Sequence, residues 1–191
     1  MQEPLSALRS YRLRSAVRRP EGSGAPRSAL FVICSEHVAA TAFAAAVDPA
    51  LVLQNFGGTV PPPGAVSGGD VSTLAYALQQ ERVRHVVLCG HAACRAPGFA
   101  PAAATPERLS DRLFTPQQRA SQVGLLLQMD RVQAHARAWD RHVELHTLWF
   151  DEDEGDVYAY RPAERRFTLF GDLDAERLVE ELGAAPAGAA S

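Results

Sequence analysis

Ala29-Leu30-Phe31-Val32-Ile33-Cys34 and Val86-Val87-Leu88-Cys89-Gly90-His91-Ala92-Ala93-Cys94 decide the reading of this chain. Both begin as continuous apolar runs rich in strand formers, the pattern of parallel strands covered on both faces. Both deliver metal-ligating side chains at or just past the strand's carboxyl end, where open α/β sheets place their sites. Cys34, His91 and Cys94 offer two thiolates and one imidazole, three ligands suited to Zn2+, with a fourth position for water or a carboxylate. Cys89 lies inside its strand and reads as a buried, inert thiol.

Outward from these runs, strand and helix patterns alternate. Val38 to Ala46 suits a short helix ended by Asp48-Pro49, and Leu51–Leu53 reads as a strand. Asn55-Phe56-Gly57-Gly58 turns, and the Pro61-Pro62-Pro63-Gly64 loop follows. Asp70 is expected to cap a helix from Val71 to about Glu81. Residues 95–115 are rich in Ala and Pro and suit a loose helix or a lid. A long helical stretch from Pro116 to Trp139 follows, with room for one break. Glu144–Phe150 and Val157–Arg161 read as a hairpin across the acidic turn Asp151–Asp156, and Glu176–Leu182 as a terminal helix. Leu5, Leu8, Leu13 and Val17 roughly follow helical spacing before a Gly/Pro-rich linker. The expected organisation is an N-terminal helical arm and linker (1–27), a zinc-binding α/β domain (28–183) and a disordered tail (184–191). Its fold class is α/β, with a mainly parallel central sheet flanked by helices.

Composition removes several functions. The 191 residues suit one compact domain, and apolar content of 47% is ordinary for a globular chain. A net charge of −3 and a pI near 6.1 argue against nucleic-acid binding. All 19 basic residues are arginine, so lysine Schiff-base and phosphate-loop chemistry is excluded. Three cysteines, two at metal spacing, read as intracellular thiols rather than a disulfide framework. No run approaches transmembrane length and the first residues lack a secretory apolar core, so a cytoplasmic location without membrane contact is expected. Arg9, Arg12, Arg14, Arg18 and Arg19 suit a solvated or partner-wrapping arm better than a targeting helix.

Across most of its length the sequence resembles the β-class carbonic anhydrases. That family carries Cys-x-Asp-Ser-Arg after one strand and His-x-x-Cys after a later one; here stand Cys34-Ser35-Glu36-His37-Val38 and His91-Ala92-Ala93-Cys94. Gln54-Asn55-Phe56-Gly57-Gly58 is similar to the family's Arg-Asn-Ala-Gly-Asn turn. Val71-Ser72-Thr73-Leu74-Ala75-Tyr76-Ala77 is similar to its Ser-Leu-Glu-Tyr-Ala helix. His85 to His91 matches its strand into the histidine, and Glu144 to Tyr160 its closing strand and hairpin.

The departures concern the shell around the metal. In the family, the arginine of the first motif holds the aspartate off the zinc. Here Glu36 replaces the aspartate and Val38 the arginine, so nothing in the first motif draws Glu36 away, and it becomes a fourth ligand or a gate. The family's substrate-binding glutamine has no counterpart near Ala25 or Pro26, and the glycine after the second cysteine is Arg95. His37 has two readings: a proton shuttle or cationic partner for Glu36, or a solvent-facing or helix-starting residue. Arg95 reads as a positive charge for an anionic substrate, or more simply as a solvated or interface ion-pair residue. Phe56 and Tyr76 line the pocket if they follow their family counterparts. His85, His135, His142 and His146 lack ligand spacing to the main cluster and read as core or surface residues. The acidic run Asp151–Asp156 reads as a solvated turn.

The resemblance implies reversible hydration of carbon dioxide to bicarbonate by zinc-bound hydroxide, in a homodimer or dimer of dimers with its pocket near the interface. Two other functions fit the altered shell: a zinc-holding homologue with a structural or interaction role, and a zinc hydrolase or lyase for a related small electrophile.

Overall fold

Four parallel strands carry the architecture: β1 (Ala29–Cys34), β2 (Ala50–Asn55), β3 (His85–His91) and β4 (Glu144–Asp151). β5 (Asp156–Arg161) and β6 (Arg166–Leu169) return antiparallel, and the order across the sheet is β2-β1-β3-β4-β5-β6. These elements belong to a computed structural model describing residues 28–47, 50–65, 68–96 and 114–183. The expected N-terminal arm and linker, the greater part of the Ala/Pro-rich segment, the Asp48-Pro49 helix stop and the tail lie outside the described residues.

The apolar runs divide by strand alternation into two cores. Leu30 and Val32 of β1, Val86 and Leu88 of β3 and Trp149 of β4 face one side. There they meet Leu74 of α2 (Gly69–Ala75), and Leu125 and Val132 of α3 (Pro116–Ala138). Phe31, Ile33, Val87, Cys89, Leu148 and Phe150 face the other side, against Phe43 of α1 (Val38–Ala44) and Leu178 and Leu182 of α4 (Asp172–Gly183). Every residue of β1 is buried, which is why the run lacks polar alternation. Each large side chain so buried contributes roughly 1.5–3 kcal/mol.

Several boundaries differ from expectation. Asp70 is not a cap: α2 begins after Gly68, and the Asp70 carboxylate instead accepts from Asn55 Nδ2 at 2.9 Å. Past Ala75 the helix widens into a π-helical stretch, Tyr76–Gln80, with Glu81 N–H donating to Tyr76 O at 3.0 Å. α3 runs unbroken for 23 residues. Its start is a capping box, in which Gln118 N–H donates to Thr115 Oγ1 and Thr115 N–H to Gln118 Oε1, with Pro116 as the first helical residue. β6 escapes the sequence pattern because, of its four residues, only Phe167 is buried. α4 starts at Asp172 rather than Glu176, its acidic first turn complementing the helix dipole.

Candidate metal centre

β1 and β3 are neighbours in parallel register, Ile33 beside Cys89, so their carboxyl ends open at one rim of the sheet. Cys34 closes β1 and His91 closes β3, while Cys94 follows on the turn beyond. One potential ligand atom from each of Cys34, Glu36, His91 and Cys94 lies within 4.8 Å of the other three. Residues 60 positions apart meet because the two strands are adjacent, which neither local stretch states by itself.

The backbone holds this cluster from several sides. Gly57 N–H donates to Cys34 Sγ at 3.3 Å. The turn bringing it there is pinned by Asn55, whose Oδ1 accepts from Thr59 N–H at 2.7 Å and whose Nδ2 donates to Thr59 O at 2.8 Å. Gly58 sits at φ +58°, and a Cβ there would stand 3.1 Å from Cys34 N. Both the left-handed conformation and the close approach require glycine. Ser121 Oγ donates to His91 O at 2.7 Å and accepts from Trp149 Nε1 at 3.1 Å, locking the end of β3 to α3 and β4.

His91 has the arrangement of a metal-ligating imidazole. Its Nδ1 lies 3.2 Å from Glu152 Oε2, while its Nε2 is buried and has no hydrogen-bond partner among the described residues. A carboxylate on one ring nitrogen fixes the tautomer that leaves the other free to ligate. Glu152 belongs to the acidic turn expected to be merely solvated. Its role escapes sequence reasoning because only the β3–β4 register, His91 beside Phe150, puts it next to the ring. The thiols show what the cluster lacks. Cys94 is pushed up to about 11, first by burial and then by Cys34. A Cys94 thiolate is therefore unfavourable at neutral pH without a cation, and a divalent ion supplies the charge that stabilises it. The orphaned imidazole nitrogen and the paired thiols fit zinc.

Arg95 engages Glu36. Its Nη2 and Nε lie 2.6 and 2.9 Å from Glu36 Oε1, and its backbone N–H donates to Oε2 at 3.2 Å. The Arg95 backbone amide and then its guanidinium hold the Glu36 carboxyl below its ordinary range. Nothing in the first motif engages Glu36, as expected, but Arg95, after the second motif, does, while a Glu36 oxygen stays within 4.8 Å of the other three ligand atoms. Arg95 is solvated, its side chain 81% exposed, and it is also an ion-pair partner, here of Glu36 in its own chain.

His37 is not the cationic partner of Glu36. It is 1% exposed and caps α1, its Nδ1 accepting from Ala40 N–H at 3.2 Å. Its ring stacks on His91 with centroids 4.9 Å apart, and its Nε2 faces Glu152 Oε1 at 3.5 Å. Burial, then the nearby His91, lowers it to about 3, so it stays neutral. The helix-start reading is the one the geometry matches, and the solvent-facing one is not.

Gly57, Gly90, His91, Cys94, Ser121, Leu125 and Gln128 line a small cavity beside the cluster. Neither Phe56 nor Tyr76 lines it. Phe56 is 52% exposed, and Tyr76, 45% exposed, turns its hydroxyl to Glu81. Of the histidines set aside, His135 Nε2 contacts Pro61 O at 2.8 Å and His142 is exposed, whereas His85 and His146 come together 3.2 Å apart. Cys89 is buried, and burial raises its thiol far out of reach of ionisation.

The mainly parallel sheet with its helices has the fold of solved β-carbonic anhydrases. The solved β-carbonic anhydrase CcaA superposes with a TM-score of 0.61 at 22% identity, over 88% of this chain and 93% of that one. The Coccomyxa β-carbonic anhydrase gives 0.52 at 20% identity, over 80% and 82%. In sequence, a carbonic anhydrase of Synechococcus elongatus is 34% identical over 77 residues, which is 35% of this chain but only 25% of that relative's length. A carbonic anhydrase of Pseudomonas aeruginosa is 24% identical over 89% of this chain and 90% of its own. No protein-family model matches. The chain shares the fold of the β-carbonic anhydrases and is similar in sequence to carbonic anhydrases.

Proposed function

We propose that this protein is a zinc-dependent carbonic anhydrase interconverting carbon dioxide and bicarbonate. The observation that carries the proposal is the pairing of Arg95 with Glu36 beside converging Cys34, His91 and Cys94. The three ligands would hold Zn2+, which when bound supplies Lewis acidity able to bring the pKa of water down from about 15.7 towards neutrality. Thiolate donation leaves that water less acidic than in a three-histidine site, so activity should favour alkaline pH.

The chain's own residues would prepare the site as follows. Glu152 orients His91 so that Nε2 faces the metal. Gly57 N–H stabilises the Cys34 sulfur. Arg95 engages both Glu36 oxygens and would leave the fourth position of a bound ion open. Leu125 and Gly90 give the adjoining cavity an apolar wall suited to carbon dioxide. His37 supports α1 and the His91 ring rather than relaying protons. We include in the proposal a homodimer or dimer of dimers and a cytoplasmic location. Three free cysteines support a reducing compartment, and no described helix is long and apolar enough to cross a membrane.

The exposure of Arg95 supports a second reading. A solvent-facing ion pair is weak, and Glu36 released from it sits within reach of the cluster and would close the site as a fourth ligand. The protein would then hold zinc without turning over. Stopped-flow hydration of carbon dioxide by zinc-loaded protein across pH separates the two. Catalysis well above that of Cys34→Ala supports the first reading, and rates equal to that variant at every pH overturn it.

A further inference from the structure

The opposite end of the sheet carries a second convergence of metal-ligating groups. His85 opens β3 and lies in register with Glu144, which opens β4; Val87 is in register with His146. By strand alternation His85, Glu144 and His146 share the face that holds Val87 and Leu148. α4 packs on that face through Leu178 and Leu182 and brings Glu181 over the strand ends. His85 Nδ1 lies 3.2 Å from His146 Nε2, 3.8 Å from Glu144 Oε2 and 4.0 Å from Glu181 Oε1. All four ligand atoms fall within 4.8 Å of one another.

These distances approach a tetrahedral site. Zinc bonds of about 2.0–2.1 Å to nitrogen and oxygen imply ligand–ligand edges of about 3.3–3.4 Å. The two imidazoles already stand at that separation, and the carboxylates, on side chains exposed at 60% and 46%, lie 3.8 and 4.0 Å from His85 Nδ1 with room to move closer. Charge points the same way. The carboxylates of Glu144 and Glu181 both face the His85 ring. Two carboxylates and two imidazoles form a donor set suited to a divalent ion. The nitrogen donors select zinc-like borderline metals over calcium or magnesium.

We propose that His85, Glu144, His146 and Glu181 form a second divalent-metal site, separate from the Cys34–His91–Cys94 centre, that takes a zinc-type ion and clips α4 to the parallel sheet. The two sites stand at opposite ends of β3, six residues or about 20 Å apart, so this ion takes no part in chemistry at the other rim. It joins β3, β4 and α4, where α4 already packs through Leu178 and Leu182 and where Ser28, just before β1, donates its hydroxyl to Leu182 O.

The test is metal content and melting of the full chain, loaded with zinc and freed of excess by gel filtration. Wild type should hold two zinc ions per chain, and His146→Ala and the exposed-site variant Glu181→Gln about one. A Cys34→Ser/Cys94→Ser chain should keep one, rise in melting temperature on zinc addition, and with cobalt show ligand-field bands but no sulfur-to-cobalt charge transfer. Adding His146→Ala to that chain should abolish uptake. A wild type holding one zinc that His146→Ala and Glu181→Gln both retain would overturn the site, and so would a folded double-cysteine variant that takes up none. Should the double-cysteine chain fail to fold, the comparison of wild type with the other two variants decides alone. Loss of hydration activity has no bearing on this count, so failure of the proposed function and failure of this site read out separately.

Discussion

The Arg95 guanidinium grips the Glu36 carboxylate at 2.6 Å although the two residues stand 59 positions apart. The pair forms because β1 and β3 end side by side, and each contributes the loop that follows it. It rebuilds from the far motif a carboxylate clamp that the near motif, with Val38 in place of an arginine, lacks.

Removing the clamp should free Glu36 to enter the cluster. Arg95→Ala is expected to lower carbon dioxide hydration by roughly tenfold or more, the scale of groups that position metal ligands. Arg95→Ala/Glu36→Gln should recover part of the loss, since the amide is a poorer ligand. Stopped-flow rates of the two variants at equal zinc occupancy check this. A single variant as fast as wild type would show that Glu36 does not need holding.

Glu152 is expected to tune metal affinity through His91. Glu152→Gln should weaken zinc binding by about 10–100-fold, measured by competition with a coloured chelator, with the far-ultraviolet spectrum unchanged. Equal affinities would reduce Glu152 to a surface residue of the turn.

Gly58 should tolerate no side chain. Gly58→Ala puts a Cβ 3.1 Å from the Cys34 backbone at φ +58°. The expected cost is about 1–3 kcal/mol of unfolding free energy, together with weaker zinc retention, because the strained turn also presents Gly57 N–H to Cys34. Urea unfolding of the chelator-treated protein isolates the first effect.

Acid should destabilise the metal-stripped protein through its buried neutral histidines. Burial, then the nearby His85, lowers His146 from 6.5 to about 4 in the folded chain. The unfolded chain therefore binds the proton first. The contribution is whole above pH 6.5 and is lost as pH falls from there through about 4. His146→Gln should flatten the urea-midpoint profile across that window. A profile as steep as wild type would assign acid sensitivity to other groups.

The sequence shows its strands well because burial on both faces demands uninterrupted apolar runs. β1 and β3 are therefore legible, and so are the thiols and imidazole at their ends. Asp70 misleads because a helix-start signal looks the same whether the carboxylate caps its own helix or reaches across to Asn55. β6 is too short and too polar to register. The pairings of Arg95 with Glu36, Glu152 with His91 and His85 with His146 escape the sequence for a common reason: each depends on which strand end lies beside which.

By itself, then, the order of residues determined an α/β chain with two cysteines and a histidine at strand ends, since hydrophobic period and ligand chemistry are local properties. Only the tertiary structure decided that Arg95 restrains Glu36, that Glu152 orients His91 and that two further histidines meet at the opposite rim. Those relations follow from the lateral order and register of parallel strands, which long-range packing sets and no single stretch encodes.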